Sequence, residues 1–222
     1  MIALDGVSKS YATASGRRVV LDNATIAFAA GHNYGILGAN GAGKSTLIRL
    51  LAGSELPDRG AIIRDVRVSF PLGFGGTFHG ALSGRDNVRF LARLYGAGVR
   101  AATRFAEEFA ELGEYFDMKV ATYSAGMRAR LAFAACFAIE FEVYLIDEVT
   151  EVGDERFQQR CAAAFAERMT RADIIMVTHN SRTIRRYCDR AAVLSQGKLT
   201  LCDELAGAFA RYRAMPAEAQ RC

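Results

Sequence analysis

Nine consecutive residues, Gly38-Ala39-Asn40-Gly41-Ala42-Gly43-Lys44-Ser45-Thr46, carry the strongest chemical signal in the chain. They satisfy G-x-x-x-x-G-K-[ST], with Gly38, Gly43, Lys44 and Ser45 at the required places. Glycines at 38, 41 and 43 permit positive φ and leave no Cβ between the backbone and a phosphate. Asn40, Gly41 and Ala42 complete the loop, whose backbone N–H groups would surround a phosphate chain. Lys44 is a flexible point charge able to reach β- and γ-phosphates. Ser45 offers a hard oxygen to Mg²⁺, a cation that keeps several waters and takes few protein ligands. Thr46 has two readings, a contact to the α-phosphate or plain helix surface. The chemistry implied is binding of ATP with Mg²⁺.

Further groups sit where apolar runs end. Phe141 to Ile146 reads as a strand closed by Asp147, the place where phosphate-loop enzymes hold a magnesium carboxylate. Glu148 follows, placed to orient and deprotonate a water in line with the γ-phosphate. His179 ends another buried strand, expected beside that of Asp147, and would hold phosphate and water as charge shifts. Lys44, Glu148 and His179 are thus the catalytic candidates, and Ser45 and Asp147 the metal ligands. His32 and His79 read as structural. In Tyr123-Ser124-Ala125-Gly126-Met127, Ser124 is an N-cap candidate and Gly126 exposes backbone N–H groups at a helix start. Either this is an ordinary cap, or it is a second anion site serving the nucleotide of another copy of the chain.

The elements that must position these groups follow from periodicity. A short strand, 33–37, precedes the glycine loop, and a helix over 47–52, closed by Gly53, follows it. Upstream, 2–10 reads as an edge strand, 12–18 as a loop, and 19–21 and 25–28 as two strands. After a turn at 57–60, 61–63 and 66–70 read as a strand pair. Ser83 and Asp86 open a helix in the capping-box manner, with Val88, Leu91, Ala92 and Tyr95 on one stripe. Helices are expected over about 101–112, from Ser124 onward, over 155–169, and in the tail after residue 203. A hairpin is expected over 191–201 about Gln196-Gly197. A helical insert at 83–138 thus interrupts a parallel-sheet core.

Composition bounds the alternatives. The 222 residues are 51% hydrophobic, enough for one α/β domain with a subdomain. No apolar run reaches the roughly 18 residues that span a bilayer, and the N-terminus lacks a signal-peptide pattern. The net charge of +4 comes without a dense basic run, so nucleic acid is not an expected partner. The five cysteines form no C-x-x-C pair and read as reduced thiols rather than a zinc site. No Asn-Lys-x-Asp motif supports a GTPase.

With these motifs in place, the chain resembles the ATP-binding-cassette (ABC) ATPases over nearly its whole length. The pentad is similar to that family's Leu-Ser-Gly-Gly-Gln, with Tyr123, Ala125 and Met127 substituted. Asp147 follows Ser124 by 23 residues and His179 follows Asp147 by 32, a spacing typical of the family. The resemblance implies a fold of class α/β: a RecA-like P-loop NTPase core (1–82 and 139–222), an antiparallel β subdomain and an inserted helical subdomain (83–138), together one cassette over 1–222. It implies that Tyr11 stacks on adenine, that Ser124 and Gly126 contact the γ-phosphate in trans, and that Asp154, in Glu151-Val152-Gly153-Asp154, crosses a homodimer interface. The family normally places a Gln after the strand ending here at Phe70. No Gln occurs between Val68 and Asn87.

Pro71-Leu72-Gly73-Phe74-Gly75-Gly76 fills that place, and with 78–87 it closely resembles the subfamily that powers export of capsular polysaccharide. Phe74 and Phe78 have two readings, anchors of their loop or a socket for a helix of the membrane subunit. The expectation is an ATPase subunit, peripheral on the cytoplasmic face of the inner membrane. Two copies sandwich two Mg-ATP and drive two copies of a separate permease that contacts the glycan. The alternatives are an O-antigen or teichoic-acid exporter ATPase, or a soluble cassette protein acting on ribosomes or DNA. Many of the former carry an additional carbohydrate-binding domain after the cassette, and the latter usually hold two cassettes or a long coiled-coil insertion.

Overall fold

The computed structural model describes residues 1–14, 16–72, 77–147, 154–178 and 181–215. The chain divides into two compact units. One comprises Met1–Pro71, Glu142–Glu148 and Ala172–Cys222, the other Leu72–Phe141 and Val149–Arg171.

The first unit holds two sheets. Strands β1 (Ile2–Thr13), β2 (Gly16–Phe28) and β4 (Arg59–Arg64) form an antiparallel sheet in the order β2-β1-β4. Strands β3 (Tyr34–Leu37), β5 (Val143–Asp147), β6 (Asp173–Val177), β7 (Arg190–Ser195) and β8 (Lys198–Cys202) form the second, in the order β5-β6-β3-β7-β8. Pairing is parallel throughout except for the β7–β8 hairpin. Its turn needs the left-handed region, and Gln196 and Gly197 supply it at φ 48° and 79°. All four residues of β3 and all five of β5 are buried, as strands covered on both faces require.

Helix α1 (Lys44–Ala52) packs on β5 and β6. It buries Leu47, Ile48, Leu50 and Leu51 completely, at roughly 1.5–3 kcal/mol per side chain. Its last carbonyls are satisfied twice. Gly53, at φ 76°, donates its N–H to Leu50 O, and Arg64 Nε donates to Leu51 O at 2.7 Å. Burial holds the Arg64 guanidinium below its ordinary pKa.

The second unit is helical: α2 (Gly84–Leu94), α3 (Val99–Ala110), α4 (Ala125–Phe137) and α5 (Glu155–Arg168). Ser83 caps α2, its Oγ accepting from Asp86 N and donating to the Asp86 carboxylate. The centre is aromatic. Phe109 stacks on Phe105 and meets Phe137 and Phe157 edge-on at 5.6 and 5.8 Å. Phe157 explains why α5 groups with these helices, beyond the boundaries 83–138 expected from the sequence.

Four expectations about strands fail. Residues 2–10 belong to the central strand of their sheet, not an edge, because β4 pairs on the side opposite β2. Residues 12, 13 and 16–18, expected within a loop, pair as the ends of β1 and β2, and the two short strands expected after them are one, β2, which stays paired through register shifts. Residues 66–70 do not pair with 61–63. Val68 bridges Val143 in parallel, and buried Ser69 accepts from Leu145 N at 2.9 Å, so this segment runs along β5. Helix α6 (Ser181–Tyr187) and α7 (Leu205–Arg213) complete the first unit.

Candidate functional site

The parallel order of β5, β6 and β3 makes all three strands end at one edge of their sheet. Asp147 is paired with Val177 there, and Ile36 with Val177 from the other side. The glycine loop leaves this edge after Leu37, and Asp147 sits on it, 8% exposed. Glu148 and His179 follow directly in the chain but lie outside the described residues, as does Phe74. The C-terminal edge of such a sheet is where phosphate ligands of open α/β folds are held.

The loop is built for close approach. Gly41 and Gly43 adopt φ of 73° and 104°, whereas Gly38 does not use the left-handed region the sequence reading allowed it. Gly38 is required for a different reason: a Cβ there would lie 2.6 Å from the carbonyl oxygen of Leu194 on β7. A Cβ on Gly43 would lie 2.1 Å from Val20 Cγ1 on β2. Gly43→Ala therefore combines backbone strain with a clash. It is expected to cost about 2–4 kcal/mol and to weaken nucleotide binding, which thermal unfolding and nucleotide titration would measure together.

Lys44 is buried, and its Nζ donates to Gly38 O at 2.8 Å and Ala39 O at 2.7 Å. The loop's carbonyls thus hold the ammonium inside the curve of the loop, on the start of α1. Arg18 on β2 donates to Gly41 O, tying the hairpin to the exposed tip. Asn40 and Gly41 are exposed, Ala42 and Ser45 half-buried, and Thr46 buried. Gly43 and Lys44 begin the helix with no acidic residue in its first turn, leaving its N–H groups and positive end for an anion.

Thr46 and Tyr11 meet in a network the sequence did not announce. Tyr11 Oη donates to Glu55, which also accepts from Arg49 Nε at 2.9 Å and faces Lys9 Nζ at 3.0 Å. Arg49 Nη2 donates to Thr46 Oγ1 at 3.0 Å. Burial alone would raise the Glu55 pKa, but the bonds from Tyr11, Arg49 and Lys9 hold it below the ordinary range. The carboxylate can only accept, so the single phenol proton belongs to Glu55. In the 3.3 Å contact between Tyr11 Oη and Thr46 Oγ1 the threonine is then the donor. The sequence offered one hint, the three-residue spacing of Thr46 and Arg49 on α1.

In the helical unit, Ser124 caps α4, accepting from Met127 N at 3.2 Å. Ser124, Ala125 and Gly126 are all exposed, and a Cβ on Gly126 would meet nothing closer than 3.9 Å. Tyr123 is buried, its hydroxyl bonded to Tyr115 O at 2.5 Å. Asp154 caps α5. Its Oδ1 accepts from Phe157 N at 2.9 Å and its Oδ2 from Arg130 Nη2 at 2.7 Å. The Phe157 N–H, more than the Arg130 charge, holds this carboxyl below the ordinary aspartate range. His32 is structural as expected, its Nδ1 lying 2.5 Å from Asp189 Oδ2. The exposed His79 is held through its backbone N–H by Asn87 Oδ1 at 2.8 Å.

A family model described as ABC transporter matches residues 21–151, more than half of the chain. The chain belongs to the ABC transporter family. The match spans the phosphate loop, the pentad and Asp147 together. This ABC protein is 45% identical to the capsule polysaccharide export ATP-binding protein CtrD of Neisseria meningitidis serogroup B, covering 97% of this chain and 100% of that one. It is likewise 45% identical to the polysialic acid transport ATP-binding protein KpsT of Escherichia coli, over 89% and 93% of the two chains. Among solved structures, the dimeric ATP-binding cassette MJ0796 in its post-hydrolysis state with ADP and Pi superposes with a TM-score of 0.73. At 20% identity, over 90% of this cassette and 96% of that one, it supports the fold. As an ABC cassette the protein is an ATPase of the P-loop class.

The residues present fit Mg-ATP. Gly41 and Gly43 hold the left-handed backbone that curves the loop, the buried Lys44 ammonium lies within that curve, and Ser45 and Asp147 are hard oxygen donors of the kind Mg²⁺ takes. Among the described residues no helix is long and apolar enough to cross a membrane.

Proposed function

We propose that this chain is the ATP-hydrolysing subunit of an exporter that moves capsular polysaccharide across the inner membrane. The observation that carries this reading is a built phosphate loop in a chain that matches capsule-export ATP-binding proteins over almost its full length. We take residues 1–222 as one cassette, acting from the cytoplasmic face as a peripheral subunit with two copies of a separate permease. The permease makes the main contacts to the glycan, and nucleic acid has no part.

In this reading the loop backbone from Gly38 to Gly43 and Lys44 bind the phosphate chain. Thr46 donates to the α-phosphate by turning its single hydroxyl proton away from Tyr11 Oη, while Arg49 still donates to its oxygen. Tyr11 faces adenine. Ser45 and Asp147 would hold Mg²⁺, which when bound would neutralise negative charge on the phosphate chain. Glu148 takes the proton of the attacking water, and His179 steadies that water and the γ-phosphate. Ser124 and Gly126 of a second copy close the pocket, a role that their exposure supports. Asp154 serves the same interface while capping its own helix. Closure is driven by differential binding, with ATP favouring the closed pair and ADP not.

The test is genetic and direct. In a capsulated strain that depends on this protein, replacing it by Lys44→Ala is expected to abolish surface polysaccharide and leave polymer inside the cell. Normal surface capsule would overturn the reading. Cysteines placed at Ser45 and Gly126 are expected to crosslink two protomers when ATP is trapped.

A further inference from the structure

Glu55 follows α1 and belongs to none of the phosphate-binding motifs in sequence, yet it gathers three donors. Tyr11 Oη, Arg49 Nε at 2.9 Å and Lys9 Nζ at 3.0 Å all meet its carboxylate. Its side chain is 17% exposed and that of Lys9 only 14%, so these charge-assisted bonds are shielded from most competing water. The two cations are fixed in turn. Lys9 also donates to Leu56 O at 2.8 Å, and Arg49 also reaches Thr46 Oγ1 at 3.0 Å and Tyr11 Oη at 3.3 Å.

The geometry of Tyr11 gives this hub a purpose. Its ring is only partly covered, and Lys9 Nζ lies 5.4 Å from the ring centroid. A half-exposed tyrosine on a strand can rotate about χ1 and χ2, and each rotation carries the ring away from one stacking plane. Anchoring the hydroxyl on a carboxylate that is itself braced by two cations leaves the ring one orientation. Ordering that would otherwise be lost on ligand binding is then already present. A purely structural salt bridge between Lys9, Arg49 and Glu55 would not need the phenol.

We propose that Glu55 is a positioning residue for the nucleobase: through Tyr11 Oη it fixes the ring on which the purine stacks. This rests on the base-facing role of Tyr11 given above. Glu55 acts first on recognition of the base, through Tyr11; its route toward the phosphate chain is the longer one, through Arg49 to Thr46 Oγ1.

The experiment compares the affinity of the full chain for Mg-ATP with its affinity for inorganic triphosphate with Mg²⁺, by calorimetric titration. Glu55→Ala is expected to lower the ATP-to-triphosphate affinity ratio about tenfold. Tyr11→Phe, which removes one oxygen and keeps the ring, should lower it by a similar factor. Glu55→Gln, still able to accept the phenol proton, should recover part of the ratio. In a Tyr11→Ala background, Glu55→Ala should change the ratio no further, because the two act as one unit. Should Glu55→Ala fail to fold, Tyr11→Phe carries the test alone. If Tyr11→Ala lowers the ratio but Tyr11→Phe does not, the positioning role is overturned and stacking stands. If Tyr11→Ala itself leaves the ratio intact, the base-facing role falls and the positioning role with it. Equal losses of ATP and triphosphate affinity in Glu55→Ala would likewise overturn the proposal.

Discussion

Lys44→Ala is expected to reduce ATP turnover by about 10²–10⁴-fold, through loss of charge-assisted contacts to two phosphates worth about 1.5–3 kcal/mol each. The structure adds a second reason. The Lys44 ammonium sits between the carbonyls of Gly38 and Ala39 at 2.8 and 2.7 Å and is 6% exposed. Removing it leaves two buried carbonyl oxygens facing a space meant for a polyanion, so the loop becomes repulsive to phosphate as well as weaker. Arginine would not rescue the site, since its planar fork does not fit the curve that a compact ammonium fills. Nucleotide titration and steady-state phosphate release on the purified variant measure the effect, with circular dichroism to confirm that the fold persists. Turnover at the wild-type rate would remove Lys44 from the mechanism.

Glu148→Gln is expected to bind ATP with near-normal affinity while hydrolysis falls by about 10²–10⁴-fold, the usual contribution of a general base. Asp147 is the last paired residue of β5, opposite Val177 on β6, and β6 pairs with β3 on its other side. Strand β5 therefore ends, at Asp147, on the edge from which the phosphate loop also springs, and Glu148 is the next residue in the chain. Glutamine keeps the size and one acceptor of glutamate but cannot take a proton from water near neutral pH. ATP that is bound but not cleaved should hold two copies together, so size-exclusion chromatography with Mg-ATP should show a stable dimer that the wild-type protein forms only briefly. A variant hydrolysing at the normal rate would require another base, and one that stayed monomeric with ATP would argue against the shared pocket.

Much of this was legible in the linear chain because its signals are local. The glycine loop is read from nine adjacent residues, and α1 ends at Gly53 because only a residue comfortable at positive φ closes the helix there. The caps at Ser83 and Ser124 are each a side chain bonding an N–H three residues on. The same locality explains the errors. An alternating pattern marks 2–10 as a strand, but whether one or two neighbours flank it is set by residues 59–64, far along the chain. Residues 66–70 have strand composition, yet their partner is β5, some seventy residues away.

The amino-acid order by itself thus carried the phosphate-loop motif, the existence of the main helices and the resemblance to a cassette family, since each rests on short motifs and their spacing along the chain. Only the tertiary structure decided that Gly38 is demanded by the carbonyl of Leu194 rather than by its own dihedral angle. It also decided that Glu55, Arg49 and Lys9 converge on Tyr11. Apart from Lys9 and Tyr11, which are near neighbours, such contacts join residues far apart in the chain, where no periodicity reports them and only packing brings their atoms together.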